Sequence, residues 1–404
     1  MSNREQLAMY GGTPVRETNL PYARQSIDKD DIAAVEKVLT SDFLTTGPTV
    51  PHFEKKIANF VGAKFAVAFS SGTAALHGAC YAAGITKGDE VITTPFTFSA
   101  TSNSVLYVGG TPIFADINPQ TYNISPEAIE ELITPKTKAI IAVDYAGQPA
   151  EYEKILKLAK KHGLVVIGDA AHAIGATYNG NNVGTIADMT MFSFHPVKQI
   201  TTGEGGMITT NDQSYYEKLM LFRSHGITRD VEKLNVKHEV GYYEMQDLGF
   251  NYRMTDIQAA LGISQLNKLP LFLSKRKQLA ENYDKVFKHY AEIQIPLQLE
   301  NCQSSWHLYV VRFHVKKMKM SRKEIFKALQ AENIGVNIHY IPVYLHPYYK
   351  QLGYEKGLCP NAEKVYEEII TLPLFPNMTD RDQQNVIEAV EKVIFYSRKH
   401  GVTK

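Results

Sequence analysis

Lys64-Phe65-Ala66-Val67-Ala68-Phe69-Ser70-Ser71-Gly72-Thr73-Ala74-Ala75-Leu76 passes from an apolar run, through a turn of small residues, into strong helix formers. An apolar run this short, bounded by a turn, reads as a strand covered on both faces. The helical stretch, Ala74–Ala83, stops at Gly84. Further strand-like runs follow at Glu90–Thr93, Pro112–Ala115, Ala139–Val143, Leu164–Ile167, Met189–Phe194 and Met207–Thr210. Helical segments lie between many of them. Ser125-Pro126 opens one, with a capping serine and a proline at the first helical position, and Tyr152–His162 is another. Strands alternating with helices predict an α/β fold built on a mostly parallel, doubly covered sheet.

After Thr210 the pattern changes. A helix is expected over Asp256–Lys268, with Thr255 and Gln258 at capping-box spacing, Met254, Ile257 and Leu261 on one face, and Pro270 as its stop. Beyond about residue 275, strand-like Trp306–Phe313 and Ile334–His339 and helices near Arg322–Glu332 and Ala362–Ile370 point to a smaller α+β domain. The expected division is a large domain over residues 1–270 and a small C-terminal domain over 271–404.

Composition narrows the function classes. The chain has 404 residues, 44% apolar and 21% charged, as in ordinary globular proteins. Lys and Arg total 43 against 42 Asp and Glu, a net charge of +1. That balance argues against nucleic acid or an anionic membrane as partner, so an anionic substrate must be held locally. Cys80, Cys302 and Cys359 are odd in number and far apart, which fits a reducing cytoplasm and no disulfide framework. They have no metal-ligand spacing, and no HExxH or CxxC is present, so no metal is expected. The polar start Met1-Ser2-Asn3-Arg4-Glu5-Gln6 leads into no long apolar core, and no segment approaches the ~20 apolar residues needed to span a bilayer. A cytoplasmic protein is expected.

Four features carry chemistry. Ser70-Ser71-Gly72-Thr73 lies between a strand and a helix, where the amides of Gly72 and Thr73 and the Thr73 hydroxyl could cradle a phosphate. Asp169 follows an apolar strand in Val165-Val166-Ile167-Gly168-Asp169-Ala170-Ala171-His172, at the sheet edge where open α/β folds bind ligands. A carboxylate there could keep a pyridine nitrogen protonated, and His172 could reach the ring's phenolic oxygen. In Thr94-Pro95-Phe96-Thr97-Phe98-Ser99-Ala100-Thr101, Phe98 could stack on a flat ring. Finally, Phe192-Ser193-Phe194-His195-Pro196-Val197-Lys198-Gln199-Ile200-Thr201-Thr202-Gly203-Glu204-Gly205-Gly206 sets a lysine on a loop between two strand-like runs. Ser193 offers a hydroxyl to a phosphate, and Lys198 an amine that can form a Schiff base with pyridoxal 5′-phosphate.

Each feature taken alone has an ordinary explanation: a strand–helix turn, a helix-capping aspartate, a core phenylalanine, a solvated lysine. Their joint occurrence on one scaffold favours the cofactor. A nicotinamide dehydrogenase would need GxGxxG after the first strand, which is absent. A non-catalytic sugar-nucleotide-binding protein of the same fold would have no use for Lys198 together with Asp169.

These residues resemble the vitamin-B6-dependent sugar aminotransferases, the DegT–DnrJ family of fold type I. The likeness runs through Ser71–Leu76, Gly168–His172, Ser193–Lys198, Gly249-Phe250-Asn251-Tyr252-Arg253-Met254-Thr255-Asp256, Trp306-His307-Leu308-Tyr309 and Leu372-Pro373-Leu374-Phe375-Pro376. The resemblance implies that Lys198 binds the cofactor covalently, Asp169 pairs with its ring nitrogen, Phe98 stacks on it, and Gly72, Thr73 and Ser193 hold its phosphate. It also implies pyridoxamine 5′-phosphate between half-reactions, L-glutamate as donor, and a homodimer with shared sites, Asn251 reaching the neighbour's phosphate site.

Ala142-Val143-Asp144-Tyr145-Ala146-Gly147-Gln148-Pro149, Phe222-Arg223-Ser224-His225-Gly226 and the Phe-His-x-x-Lys loop are most similar to the pseudaminic-acid branch of the family, with the aminoarabinose branch next. That likeness implies a UDP-linked 4-keto-6-deoxy-N-acetyl-hexulose as acceptor. Its site would be lined by Tyr22, Asp42, Phe43, Leu44, Thr45, Ile341, Pro342, Val343 and Tyr344, with Gly72, Ser193 and Asn251. Asp42 and Phe43 depart from that branch's pattern. His339, Tyr340 and Arg253 read equally as substrate contacts or as packing and surface charge.

Overall fold

In a computed structural model, which describes residues 6–235 and 241–400, the first seven long strands form one sheet. They are β1 (Phe65–Phe69), β2 (Glu90–Thr93), β3 (Thr111–Phe114), β4 (Thr137–Val143), β5 (Val165–Asp169), β6 (Met189–Ser193) and β7 (Gly206–Thr210). The order across the sheet is β1-β7-β6-β5-β4-β2-β3. Only β7 runs against its neighbours; the pairs from β6 to β3 are parallel.

The apolar runs are explained by two cores. Along β1, Ala66 and Ala68 pack with Phe53 and Phe192 on one face, while Val67 and Phe69 pack with Ala75 and Met191 on the other. Alternate residues of a strand point to opposite faces, so covering both requires apolar residues at every position. Helix α1 (Gly72–Ala82) follows β1 and covers the second face, its N-terminus capped by Ser71 Oγ, which accepts from the Ala74 amide at 3.1 Å.

A second, antiparallel sheet joins β8 (Ile293–Gln294), β9 (Tyr309–Phe313) and β10 (Ile369–Leu372), with β9 in the centre. Its core includes Tyr309, Val311, Ile370 and Leu372, with Ile325 and Leu329 from the helix Arg322–Ala331 and Val390 and Ile394 from the helix Asp380–His400. Leu7 and Leu20 join this core, so the N-terminal segment packs on the C-terminal part of the chain.

Three expectations are corrected. Helix α2 runs from Asp256 to Phe287, straight through Pro270. Its start is the expected capping box of Thr255 and Gln258. Leu266, Leu269 and Phe272 lie in a large-sheet core and Leu279, Tyr283 and Phe287 in the small-sheet core. Burying six such side chains, at roughly 1.5–3 kcal/mol each, outweighs the ~3 kcal/mol that an interior proline costs. The 270 position is therefore inside a helix. The stretch Ala362–Ile370 divides into a helix, Pro360–Tyr366, and strand β10, because Ile369 and Ile370 pair with Arg312 and Val311 of β9. Ile334–His339 makes only isolated bridges, Ile334 to Leu20 and Asn337 to Thr371.

Candidate active site

Parallel strands place their carboxyl ends on one edge, and there a cavity of about 580 Å³ opens. Gly72, Thr73, Phe98, Asp169, His172, Ser193 and Lys198 all line it, although they come from four separate strand–loop junctions. Tyr22 and His339 line it as well.

One end is shaped for an oxyanion. Gly72 begins α1, and a Cβ there would stand 3.3 Å from Ser193 Oγ and 3.4 Å from Met191 Sδ. A side chain at 72 would press on the serine, so glycine keeps the space between the first helical turn and Ser193 open. Amides at a helix N-terminus with a hydroxyl opposite suit a phosphate.

Lys198 sits on the connection between β6 and β7. The Lys198 amide donates to the His195 carbonyl at 2.9 Å, Thr202 to Phe194 at 3.0 Å, and Phe194 to Gly205 at 2.9 Å, which fixes the loop. No hydrogen bond or ion pair holds the Lys198 amine among the described residues. Burial lowers its pKa to about 8, against an opposing pull from Asp169. A partly deprotonated, unengaged amine is what a carbonyl-capturing lysine requires.

Asp169 ends β5 and is 4% exposed. Its Oδ2 accepts from Thr101 Oγ1 at 2.7 Å and its Oδ1 from the Ala171 amide at 3.2 Å. Thr101 Oγ1 also lies 2.8 Å from Thr97 Oγ1. Burial raises the Asp169 pKa, while these donors and Lys198 pull it down. A carboxylate so desolvated favours a cationic N–H as partner.

His172 has both ring nitrogens engaged. The Ala146 amide donates to Nδ1 at 3.3 Å, and Nε2 lies 3.1 Å from Tyr340 Oη. The His307 ring packs on it at 4.4 Å between centroids. Burial, with the nearby Lys198 and His339, holds the His172 pKa well below the usual range. Burial also lowers His339 to about 3, and Thr371 Oγ1 lies 2.8 Å from its Nδ1. Phe98 stands at the mouth, 62% exposed, its ring 6.3 Å from that of Tyr340.

Other expected residues lie elsewhere. Asp42, Phe43, Leu44 and Thr45 are exposed and outside this cavity; the Leu44 carbonyl accepts from the Asp256 amide at 3.0 Å, tying the segment to the start of α2. Asn251 is also exposed and outside, bridged to Ser224. Ile341 and Pro342 do not reach the cavity. Val343 and Tyr344 are core residues, packed with Phe114, and Tyr344 Oη donates to Glu363 Oε1 at 2.7 Å. Neither lines this cavity.

Sequence reasoning did not single out Ser71, Thr97, Thr101, His307 or Asn337, which line the same cavity. Thr101 closes a segment already marked by Phe98, and His307 lies in the Trp306–Tyr309 motif, so position along the chain was the available signal. Among the described residues, no cluster of His, Cys, Asp or Glu could hold a metal ion, and no helix is long and apolar enough to cross a membrane.

Comparison with known proteins agrees with this geometry. The DegT/DnrJ/EryC1/StrS aminotransferase family pattern matches residues 25–391. The spore coat polysaccharide biosynthesis protein SpsC of Bacillus subtilis is 43% identical over 377 residues, 93% of this chain and 97% of that protein. The solved structure of Helicobacter pylori PseC, described as an aminotransferase of pseudaminic acid biosynthesis, superposes with a TM-score of 0.87 at 38% identity, covering 94% of this chain and all of PseC. The sugar aminotransferase Spr1654 of Streptococcus pneumoniae, solved with pyridoxal and with pyridoxamine phosphate, gives TM-scores of 0.87 and 0.88 at 31% identity. Those superpositions cover 95% and 94% of this chain, and 100% and 99% of Spr1654.

Proposed function

The chain belongs to the DegT/DnrJ/EryC1/StrS family of pyridoxal-phosphate-dependent sugar aminotransferases, and from that premise we propose that it moves the amino group of L-glutamate to a UDP-linked 4-keto-6-deoxy-N-acetyl-hexulose. The product is a 4-amino sugar for surface glycan of the pseudaminic acid type. The likeness to PseC and SpsC supports a nucleotide sugar bound for a surface polysaccharide.

The observation that carries the reading is that Lys198 and Asp169 face one cavity whose end is the Gly72–Ser193 cradle. The residues fit the cofactor: Ser193 and the α1 amides would hold its phosphate, Asp169 its ring nitrogen, Phe98 its face, and the Lys198 amine its aldehyde. When bound, the cofactor supplies an electron sink that makes a Cα–H bond acidic. The chain's contribution is placement and proton transfer. Asp169 keeps the ring nitrogen protonated. The Lys198 amine, free once the amino donor has taken its place, would take the proton from Cα and deliver it to the carbon that had carried the cofactor's aldehyde, after which water releases the keto acid and leaves the amine behind. Running the same steps backwards on a keto sugar completes a ping-pong cycle.

We assign the chain to the cytoplasm, which three free thiols suit, as a homodimer acting on a nucleotide sugar. Asp42–Thr45 and Asn251, exposed and outside the chain's own cavity, are the residues we assign to the partner's site. Residues near 1–270 and 271–404 would form the two walls of the cavity, the second supplying Asn337–Tyr340.

The test is incubation of the purified enzyme with glutamate and UDP-4-keto sugars of different ring configuration, with products identified by mass spectrometry and NMR. Amination of the N-acetylated 6-deoxy sugar is expected. Amination of the aminoarabinose precursor, or of a perosamine-type or 3-keto sugar, without it would replace that substrate by another of the family.

A further inference from the structure

We propose that Tyr340 donates a hydrogen bond to a carboxylate oxygen of the amino donor, and that His172 is the positioning residue that frees the Tyr340 proton for it. The inference rests on the transamination reading of the same cavity.

A backbone N–H can only donate, and the Ala146 amide is 3.3 Å from His172 Nδ1. It is presented by a tight turn, Tyr145–Gly147, in which Ala146 adopts φ 56°. Nδ1 therefore accepts and carries no proton. A buried ring close to Lys198 and His339 stays neutral, so its single proton is on Nε2. Nε2 lies 3.1 Å from Tyr340 Oη, and with the proton on Nε2 the hydroxyl must accept. Its own O–H has no acceptor among the described residues, and burial keeps the phenol protonated. Tyr340 lines the Lys198 cavity, so that O–H is available to whatever enters.

His172 is held so that this alignment is preset. Its carbonyl accepts from Ser305 Oγ at 2.7 Å and from Gln199 Nε2, and the His307 ring packs against its ring at a tilt. A donor fixed before binding costs little entropy when it is used.

The cavity also needs such a donor. Among the described residues Lys198 is the only lysine or arginine that lines it, and that amine is committed to chemistry. His172, His307 and His339 are all pushed toward the neutral form. An amino acid's carboxylate is attached to the reacting carbon and must lie beside Lys198, so neutral donors have to meet it. Ser71 and Ser193 also accept and have unassigned protons, but they belong to the phosphate cradle; beside His172 it is Tyr340 whose acceptor side is already filled and whose proton is unassigned.

The test uses the cofactor-loaded enzyme and L-2-methylglutamate, which lacks the Cα hydrogen and so binds without turnover. Tyr340→Phe removes one hydroxyl and is expected to weaken binding about ten-fold or more, the worth of a hydrogen bond to a charged group. Binding of UDP-N-acetylglucosamine should stay within about two-fold of the unsubstituted enzyme. Unchanged affinity for L-2-methylglutamate would overturn the proposal, as would loss confined to the nucleotide sugar. The His172 tautomer is read independently by long-range ¹H–¹⁵N NMR on histidine-labelled enzyme: a proton on Nε2 supports the proposal and a proton on Nδ1 overturns it. If the unsubstituted enzyme does not bind L-2-methylglutamate, the same comparison is made with L-glutamate in single turnover, where an unchanged half-saturating concentration in Tyr340→Phe overturns the proposal and one raised about ten-fold or more supports it.

Discussion

At the scale of single residues, the site works because burial and a few fixed donors set the state of each group. The Lys198 amine reacts only when neutral, and burial lowers its pKa to about 8. The rate at which cofactor-stripped protein recaptures pyridoxal 5′-phosphate should therefore rise with pH through about 8 and level off above it. An exposed lysine would keep gaining up to about 10.4. Stopped-flow absorbance gives the profile. Asp169→Asn removes the charge facing the ring nitrogen while keeping its shape. We expect the cofactor still to bind and the glutamate half-reaction to slow by roughly 100-fold or more, a loss of ~3 kcal/mol of transition-state stabilisation, measured in single turnover. Gly72→Val would drive a branched side chain into Ser193 and Met191, already 3.2–3.4 Å from a lone Cβ. Cofactor affinity should fall in an equilibrium titration, with stability falling less.

At the scale of elements, α2 carries the connection between the two sheets, and one buried cation secures it. Arg276 is 1% exposed and has no carboxylate partner among the described residues. Its guanidinium donates instead to the carbonyls of Trp306, His307 and Leu374 at 3.3, 3.2 and 3.0 Å. Arg276→Ala would leave three buried acceptors unpaired, each worth about 1–3 kcal/mol, so a loss of at least about 3 kcal/mol is expected in denaturant unfolding. This scale also shows what could be read from the chain. Lys198, Asp169, Gly72 and Ser193 were legible because each follows an apolar run, so a local pattern places it at a sheet edge. The passage of α2 through Pro270 was not, because its cause is burial against two distant cores. Nor were the Thr101–Asp169 and His172–Tyr340 contacts, which join residues 68 and 168 positions apart.

For the molecule as a whole, the single chain accounts for the cofactor end of the cavity but leaves Asn251 and Asp42–Thr45 facing outward. Phe43, Leu44, Tyr107 and Leu248 are exposed large apolar side chains, of the kind that the proposed homodimer would be expected to use. If sites are shared, Lys198→Ala and Asn251→Ala subunits, each inactive alone, should complement when mixed and reassembled. Half the random dimers are then hybrids with one intact site of two, giving about a quarter of full activity. No recovery would show that each chain builds its site alone.

The account stands on Lys198 as the covalent anchor. Borohydride reduction of the purified, cofactor-loaded enzyme, followed by peptide mapping, locates that bond directly. The pyridoxyl phosphate mass is expected on the peptide containing Lys198 and nowhere else, and to vanish in Lys198→Ala. Label on a different lysine, or none on a protein saturated with cofactor, would contradict it.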